Sequence, residues 1–168
     1  MSQNSGGFEP YPHAESVWIY LEDRFGIPCE TFAEHCLWWR SGSGKVLWLA
    51  HRAVTPPDGV ALEWLGLPLM RQELPRGFPT NAFLRRFGDV ATRNCYDEDW
   101  DTVLRLMYDH QIERTPLDDK GGPYIVRSPA GVLGRGWVRK GRLLVENPKG
   151  WAAQLLPRTE LAEGPAPP

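Results

Sequence analysis

Basic side chains and glycines are closely interleaved in the last third of the chain, in "GVLGRGWVRKGRLLVENPKGW" (residues 131–151). The cations of this stretch are Arg135, Arg139, Lys140, Arg142 and Lys149, and Glu146 is its single acid. Arginine binds phosphate through parallel donors and stacks on planar rings. Side chains of a strand alternate between its two faces, which puts Trp137 on the same face as Arg135. The stretch therefore predicts a phosphate-binding surface with an aromatic contact.

The charge of the whole chain is distributed unevenly. Its net charge is −2, but residues 121–158 hold seven Lys or Arg and one acid, a charge of +6, which leaves −8 for the remainder. A split of this size often marks an anion-facing surface, although a solvated face gives the same count. A smaller basic group lies upstream, and we expect Arg85 or Arg93 from it to join the surface; solubility is the alternative explanation for that group.

Two stretches look like cofactor-binding motifs, but neither has the residue spacing that such a motif requires. "SGSGKV" lacks the first glycine and the Ser/Thr of a phosphate-binding loop, and "GRGWVRKG" lacks the third glycine of a dinucleotide fingerprint. The three cysteines, Cys29, Cys36 and Cys95, match no zinc spacing and are expected to be buried or half-buried thiols. We predict no catalytic residue, no metal and no cofactor.

Helical and strand patterns divide the chain into two halves. "AESVWIYLEDRFG", "FPTNAFLRRFG" and "DEDWDTVLRLMYDH" predict helices with end signals, and two strands flank the "SGSG" turn. After His110 the pattern changes to short β-prone runs, "PYIVRS", "VLGRGWV", "RLLVE" and "AAQLL", which suggest a small barrel or meander. The predicted class is α+β, an N-terminal α/β domain followed by a small β-barrel domain.

The amino-acid composition limits the class of protein to which the chain can belong. The hydrophobic fraction of 42% and the charged fraction of 24% are those of a globular protein. No apolar run is long enough to span a bilayer and the first residues do not resemble a signal peptide, so a cytoplasmic protein without a membrane partner is expected. The eight tryptophans are expected mainly in the cores.

The C-terminal half resembles a PUA-like RNA-binding domain, particularly the one in RsmF/Fmu-type rRNA cytosine methyltransferases. The resemblance depends on "LGRG" (133–136), "GRL" (141–143) and "ENPKG" (146–150). "FPTNAFLRRFGDVATRN" (78–94) is similar to the helix and strand that lead into the PUA barrel of Nip-seven type ribosome-biogenesis factors. The resemblance implies a pre-PUA-like domain at 15–91 and a PUA-like barrel at 92–158. The Gly-, Ser- and Pro-rich composition of the two ends predicts a disordered segment at 1–14 and a flexible tail at 159–168.

Two functions from different classes follow. The resemblance implies a non-catalytic protein that binds structured rRNA or tRNA in ribosome biogenesis or RNA modification, with ribosome-assembly proteins as further partners. The alternative is a protein-interaction adaptor on the same scaffold, and a small RNA-modifying enzyme is a weaker third. The expected RNA-binding residues are Arg135, Arg139, Lys140, Arg142, Lys149, Arg85, Arg93 and Trp137. The sequence names neither the RNA nor the oligomeric state.

Overall fold

The computed structural model describes residues 7–40, 46–57 and 60–146, and over these residues the protein is of the α+β class. The helices are α1 (Ala14–Phe25), α2 (Asn81–Phe87) and α3 (Trp100–Asp109). The strands are β1 (Phe8–Pro10), β2 (His35–Arg40), β3 (Leu47–His51), β4 (Leu67–Met70), β5 (Cys95–Asp97), β6 (Gln111–Glu113), β7 (Tyr124–Ser128), β8 (Gly131–Arg139) and β9 (Arg142–Val145). In the described part of the chain, no helix has the length and apolarity needed to cross a membrane.

All three predicted helices are present, and local signals end them. Helix α1 stops at Gly26, whose left-handed conformation (φ 63°) suits a residue without a Cβ. Thr80 caps α2, because its side chain accepts a hydrogen bond from the backbone N–H of Phe83 at 3.1 Å. Asp99 caps α3 in the same way, and His110 ends that helix in a left-handed conformation.

The first sheet is antiparallel in the order β1-β2-β3-β4. The predicted pair β2 and β3 is confirmed, whereas the glycine-rich turn between them lies outside the described residues. Apolar side chains of this sheet form one core with helices α1 and α2, and among its fully buried members are Leu21, Phe25, Leu69 and Phe83. Each helix therefore buries its apolar stripe against the strands.

The second sheet has the order β5-β7-β8-β9-β6 and curls into a half-barrel. Strands β7, β8 and β9 form the predicted antiparallel run, and β5 joins β7 in parallel. Helix α3 packs Val103 and Leu106 into a second core that also holds Leu143 and Val145 of β9. The strand that follows α3, β6, pairs with β9 at the opposite edge from β5.

Strand β7 contributes to both cores, because its side chains alternate between the faces of the sheet. Ile125 lies in the core of the first sheet, while its neighbours Tyr124 and Val126 lie in that of the second. The expected domain boundary at residue 92 stays a prediction, but the two cores share this strand.

Several expectations from the sequence differ from the structure. Residues 7–14 were expected to be disordered, yet β1 pairs with β2 and Tyr11 is buried. The strand expected after α2 is absent from residues 88–94, which form a 3₁₀ turn at Gly88–Val90 and a loop. Strands β4, β5 and β6 were not predicted from the sequence. Residues 1–6, the "AAQLL" run and the tail at 159–168 lie outside the described residues.

Candidate nucleic-acid interface

The hairpin of β8 and β9 has one face toward the second core, and its basic side chains lie on the opposite face. Trp137 is paired with Leu144, and Arg139 with Arg142. Because alternate residues share a face, Arg135, Trp137, Arg139 and Arg142 lie on one side of the hairpin. We call these four side chains the outer strip. The other side carries Leu143 and Val145, which are buried in the second core.

Glycines at Gly134 and Gly136 are needed where β8 passes close to its neighbours. A Cβ atom at Gly136 would stand 2.7 Å from a methyl of Val126 and 2.9 Å from one of Leu143. At Gly134 it would stand 2.8 Å from the side-chain oxygen of Asn81 on α2. The two glycines therefore allow neighbouring segments to approach β8 closely, as predicted.

A two-residue turn presents Lys140 at the end of the hairpin. Lys140 and Gly141 both have positive φ angles, 50° and 75°, which is the backbone of a type I′ turn. Arg139, Lys140 and Arg142 are exposed and form no ion pair with any of the described residues. We call these three side chains the basic tip. Their charges face solvent and can meet phosphate groups.

Arg135 is held by internal contacts at the other end of the outer strip. Its guanidinium forms an ion pair with Glu146 and donates a hydrogen bond to the carbonyl of Pro79 at 2.9 Å. The ring nitrogen of Trp137 donates to the same carboxylate at 2.8 Å, and Arg135 lies 5.7 Å from the centre of that ring. Phe78 packs edge-on against the indole at 4.9 Å. Arg135 and Trp137 share a face, as predicted, but Glu146 neutralises the cation there.

Arg85 and Arg93, the other predicted residues in the described part of the chain, contact backbone carbonyls. Arg85 donates to the carbonyl of Leu133 at 3.0 Å, and burial lowers the pKa of its guanidinium. Arg93 is exposed beside α1 and reaches the carbonyl of Asp23 at 3.5 Å. Lys149 lies outside the described residues.

A cleft of about 840 Å³, which the sequence does not predict, opens between the two sheets next to Arg135. Its walls combine indoles, a phenyl ring and guanidinium groups, and we call it the aromatic cleft. The lining of the cleft includes Trp48, Trp64, Arg71, Arg76, Phe78, Arg135 and Glu146. Its volume is in the range of small-molecule sites, about 300–1,000 Å³.

Trp64 projects from a segment whose backbone is anchored. Its side chain is 71% exposed, although the next residue, Leu65, is buried. Arg40 donates a hydrogen bond to the carbonyl of Leu62, and Gly66 (φ 76°) passes so close to the Leu49 carbonyl that a Cβ there would overlap it. The backbone near Trp64 is therefore anchored, while its side chain projects into solvent. Its ring centre lies 6.0 Å from that of Trp48.

Arg71 and Arg76 belong to a closed loop between β4 and α2. A β-bridge joins Met70 to Pro79 at its base. Inside it, Glu73 accepts backbone hydrogen bonds from Arg76 at 3.1 Å and Gly77 at 2.8 Å. The side chain of Glu73 also accepts a hydrogen bond from Tyr11 at 3.0 Å. The loop thus keeps its form, and both arginines are exposed and without an ion pair in the described part of the chain.

The tryptophans are placed differently from our expectation. Seven of the eight are described, and none of these is fully buried. Trp64 and Trp100 are more than half exposed. Leucine, valine and phenylalanine fill most of both cores instead, so the indoles remain half-buried or in solvent. The sequence offers Arg and Trp residues near Pro and Gly as signals for the cleft. These residues are far apart in the sequence, so nothing in it brings them together.

The cysteines and histidines form no metal cluster of three or more ligands within the described ranges. The three thiols are half-buried, as expected. Hydrogen bonding to the Glu22 carboxylate is the main cause that raises the pKa of Cys29 to about 11, which keeps that thiol protonated near neutral pH. The sequence matches no protein-family model, and no curated protein matches it significantly.

Proposed function

We propose that this chain is a non-catalytic RNA-binding protein that acts on structured rRNA or tRNA, in ribosome biogenesis or RNA modification. The second sheet is proposed to be a PUA-like barrel, on the strength of the sequence resemblance and the curled half-barrel of β5 to β9. The RNA would contact the basic tip and the outer strip.

One observation carries the proposal. The three cations of the basic tip stand at the end of the β8–β9 hairpin, exposed and without ion pairs among the described residues. The net charge of the chain is negative, so a general positive field is not the source of the attraction. Structured RNA is recognised largely through its phosphates and shape, which unpaired cations on a fixed scaffold can meet.

Binding of a structured RNA hairpin to the Arg139→Ala/Arg142→Ala variant tests the proposal. Lys140 is left in place so that the turn backbone is unchanged. Release of one counterion at 0.1 M salt favours binding by about 1 kcal/mol, so two lost phosphate contacts should weaken binding roughly 30-fold. The slope of log K against log salt should become shallower by nearly two units.

A matched control variant is Arg86→Ala/Lys120→Ala, which removes two cations outside the hairpin that are also exposed and form no ion pair among the described residues. It should keep the affinity and the salt slope close to those of the wild-type protein. Equal losses in both variants would show that only overall charge matters. An unchanged Arg139→Ala/Arg142→Ala variant, still folded by circular dichroism, would show that the basic tip is not the site.

The adaptor function has its own support in the structure. Trp100 and Tyr108 on α3 are both 52% exposed, and exposed aromatic side chains often mark protein interfaces. Salt separates the two functions, because binding through phosphate contacts weakens steeply as salt rises. A wild-type protein that binds no RNA at low salt, and captures a protein partner with little salt dependence, would favour the adaptor.

A further inference from the structure

We infer that the aromatic cleft binds unstacked bases of a single-stranded RNA segment, so that the preferred ligand is a duplex with a single-stranded extension. The inference rests on the proposed function, since it assigns the ligand class of a second part of the same interface. The basic tip would hold the duplex backbone, and the cleft would hold the extension.

The two indoles of the cleft supply stacking surfaces. Trp48 and Trp64 have ring centres 6.0 Å apart with an angle of 46° between their planes, so they are not stacked face to face on each other. The backbone near Trp64 is anchored, so presenting its exposed ring to a ligand costs little backbone entropy. Every base has an aromatic face, so an exposed and preorganised indole suits a base without selecting one base.

The charges of the cleft favour a nucleic acid over a peptide. Arg71, Arg76 and Arg135 line it, against one carboxylate, Glu146, which already pairs with Arg135. Arg71 and Arg76 remain to meet anions that arrive with the ligand. Proline-rich peptides also dock in aromatic grooves, but they bring no phosphates for these guanidinium groups. A single strand of RNA brings a planar base and a phosphate together.

The cleft is continuous with the outer strip. Arg135 and Glu146 belong to the lining of the cleft, and Trp137 packs on Phe78 of the same lining. From Arg135 to Arg139 strand β8 extends about 13 Å along the same face. One RNA can therefore contact the basic tip and the cleft at the same time.

Two RNA probes test the inference: a blunt-ended hairpin, and the same hairpin with a short oligoadenosine tail. The wild-type protein should bind the tailed hairpin more tightly. Trp64→Ala should remove that gain, which we expect to be roughly fivefold to 150-fold for one stacked base, while its affinity for the blunt hairpin stays unchanged. Because Trp64 is mostly exposed, its replacement should leave the fold intact.

Two further variants sharpen the test. Trp100→Ala removes another exposed indole, on α3 and outside the lining of the cleft, and should keep the full gain from the tail. Trp64→Phe keeps an aromatic face and should retain much of it. A proline-rich peptide, used as a competitor, should not displace the tailed hairpin.

The outcomes separate the inference from the proposed function. If the wild-type protein binds both probes equally well, or if Trp64→Ala keeps the gain from the tail, the cleft is not a base-binding site while RNA binding stands. If the wild-type protein binds neither probe at low salt, both proposals are wrong. Displacement by the proline-rich peptide would identify the cleft as a peptide groove and overturn the inference.

Discussion

Replacement of the buried Arg24 should destabilise the protein more than replacement of any surface arginine. Arg24 lies on α1, and its side chain is 9% exposed. It forms an ion pair with Asp118 and donates two hydrogen bonds to the carbonyl of Pro123, at 3.2 and 3.0 Å. Its guanidinium also lies 5.1 Å from the ring centre of Tyr124. One side chain thus ties a helix of the first core to the strand that both cores share.

The magnitude follows from what Arg24→Ala leaves behind. The variant leaves the carbonyl of Pro123 and the carboxylate of Asp118 without Arg24 as a partner. Removing one partner of a buried ion pair lowers the free energy of unfolding by about 3–5 kcal/mol. Asp118 is 25% exposed, so water recovers part of that cost and the lower end, about 3 kcal/mol, is expected. For a chain of this size the melting temperature should fall by about 6–12 °C.

Urea denaturation, followed by circular dichroism and by tryptophan fluorescence, measures this cost. Arg93→Ala is the matched control. Arg93 and Arg24 line one surface pocket, but Arg93 is exposed and its hydrogen bond to the carbonyl of Asp23 is long. It should change the free energy of unfolding by no more than about 0.5 kcal/mol. Should Arg24→Ala cost no more than Arg93→Ala at an unchanged m value, the bridging role assigned to Arg24 is wrong.

Two other predictions concern packing and pH. Gly136→Ala should lower the free energy of unfolding by about 1–3 kcal/mol, because the new methyl would press on Val126 and Leu143; an unchanged midpoint in urea would refute the close approach. Burial, and then the neighbouring His51, lower the pKa of His35, so the unfolded chain binds a proton more readily than the folded one. The free energy of unfolding should therefore fall as the pH drops through about 6.5. His35→Phe should show a smaller fall, and an equal one would contradict the assignment.

The sequence by itself determined the local elements. Glycine after α1, Thr80 before α2 and Asp99 before α3 are signals that act within one helical turn, so the helices could be predicted with their ends. Alternation within β8 likewise placed Arg135 and Trp137 on one face, because that depends on the strand period alone.

Only the tertiary structure decided which of these residues are available to a ligand. Arg135 looks as free as Arg139 in the sequence, but Glu146, just after β9, and the carbonyl of Pro79, just before α2, occupy its guanidinium. Conversely, Trp64 has an ordinary core composition around it, and its exposure results from how the backbone is held against Leu49.

The aromatic cleft shows the same limit on a larger scale. Its lining comes from segments as far apart as Trp48, Arg76 and Arg135, which no periodicity relates to one another. The first sheet and β8 meet there because the start of α2 is bonded to β8: Asn81 and the carbonyl of Pro79 both accept hydrogen bonds from Arg135. Contacts between distant segments depend on the packing of the whole chain, and for that reason the strand pattern predicted the basic tip while the cleft beside it became visible only in three dimensions.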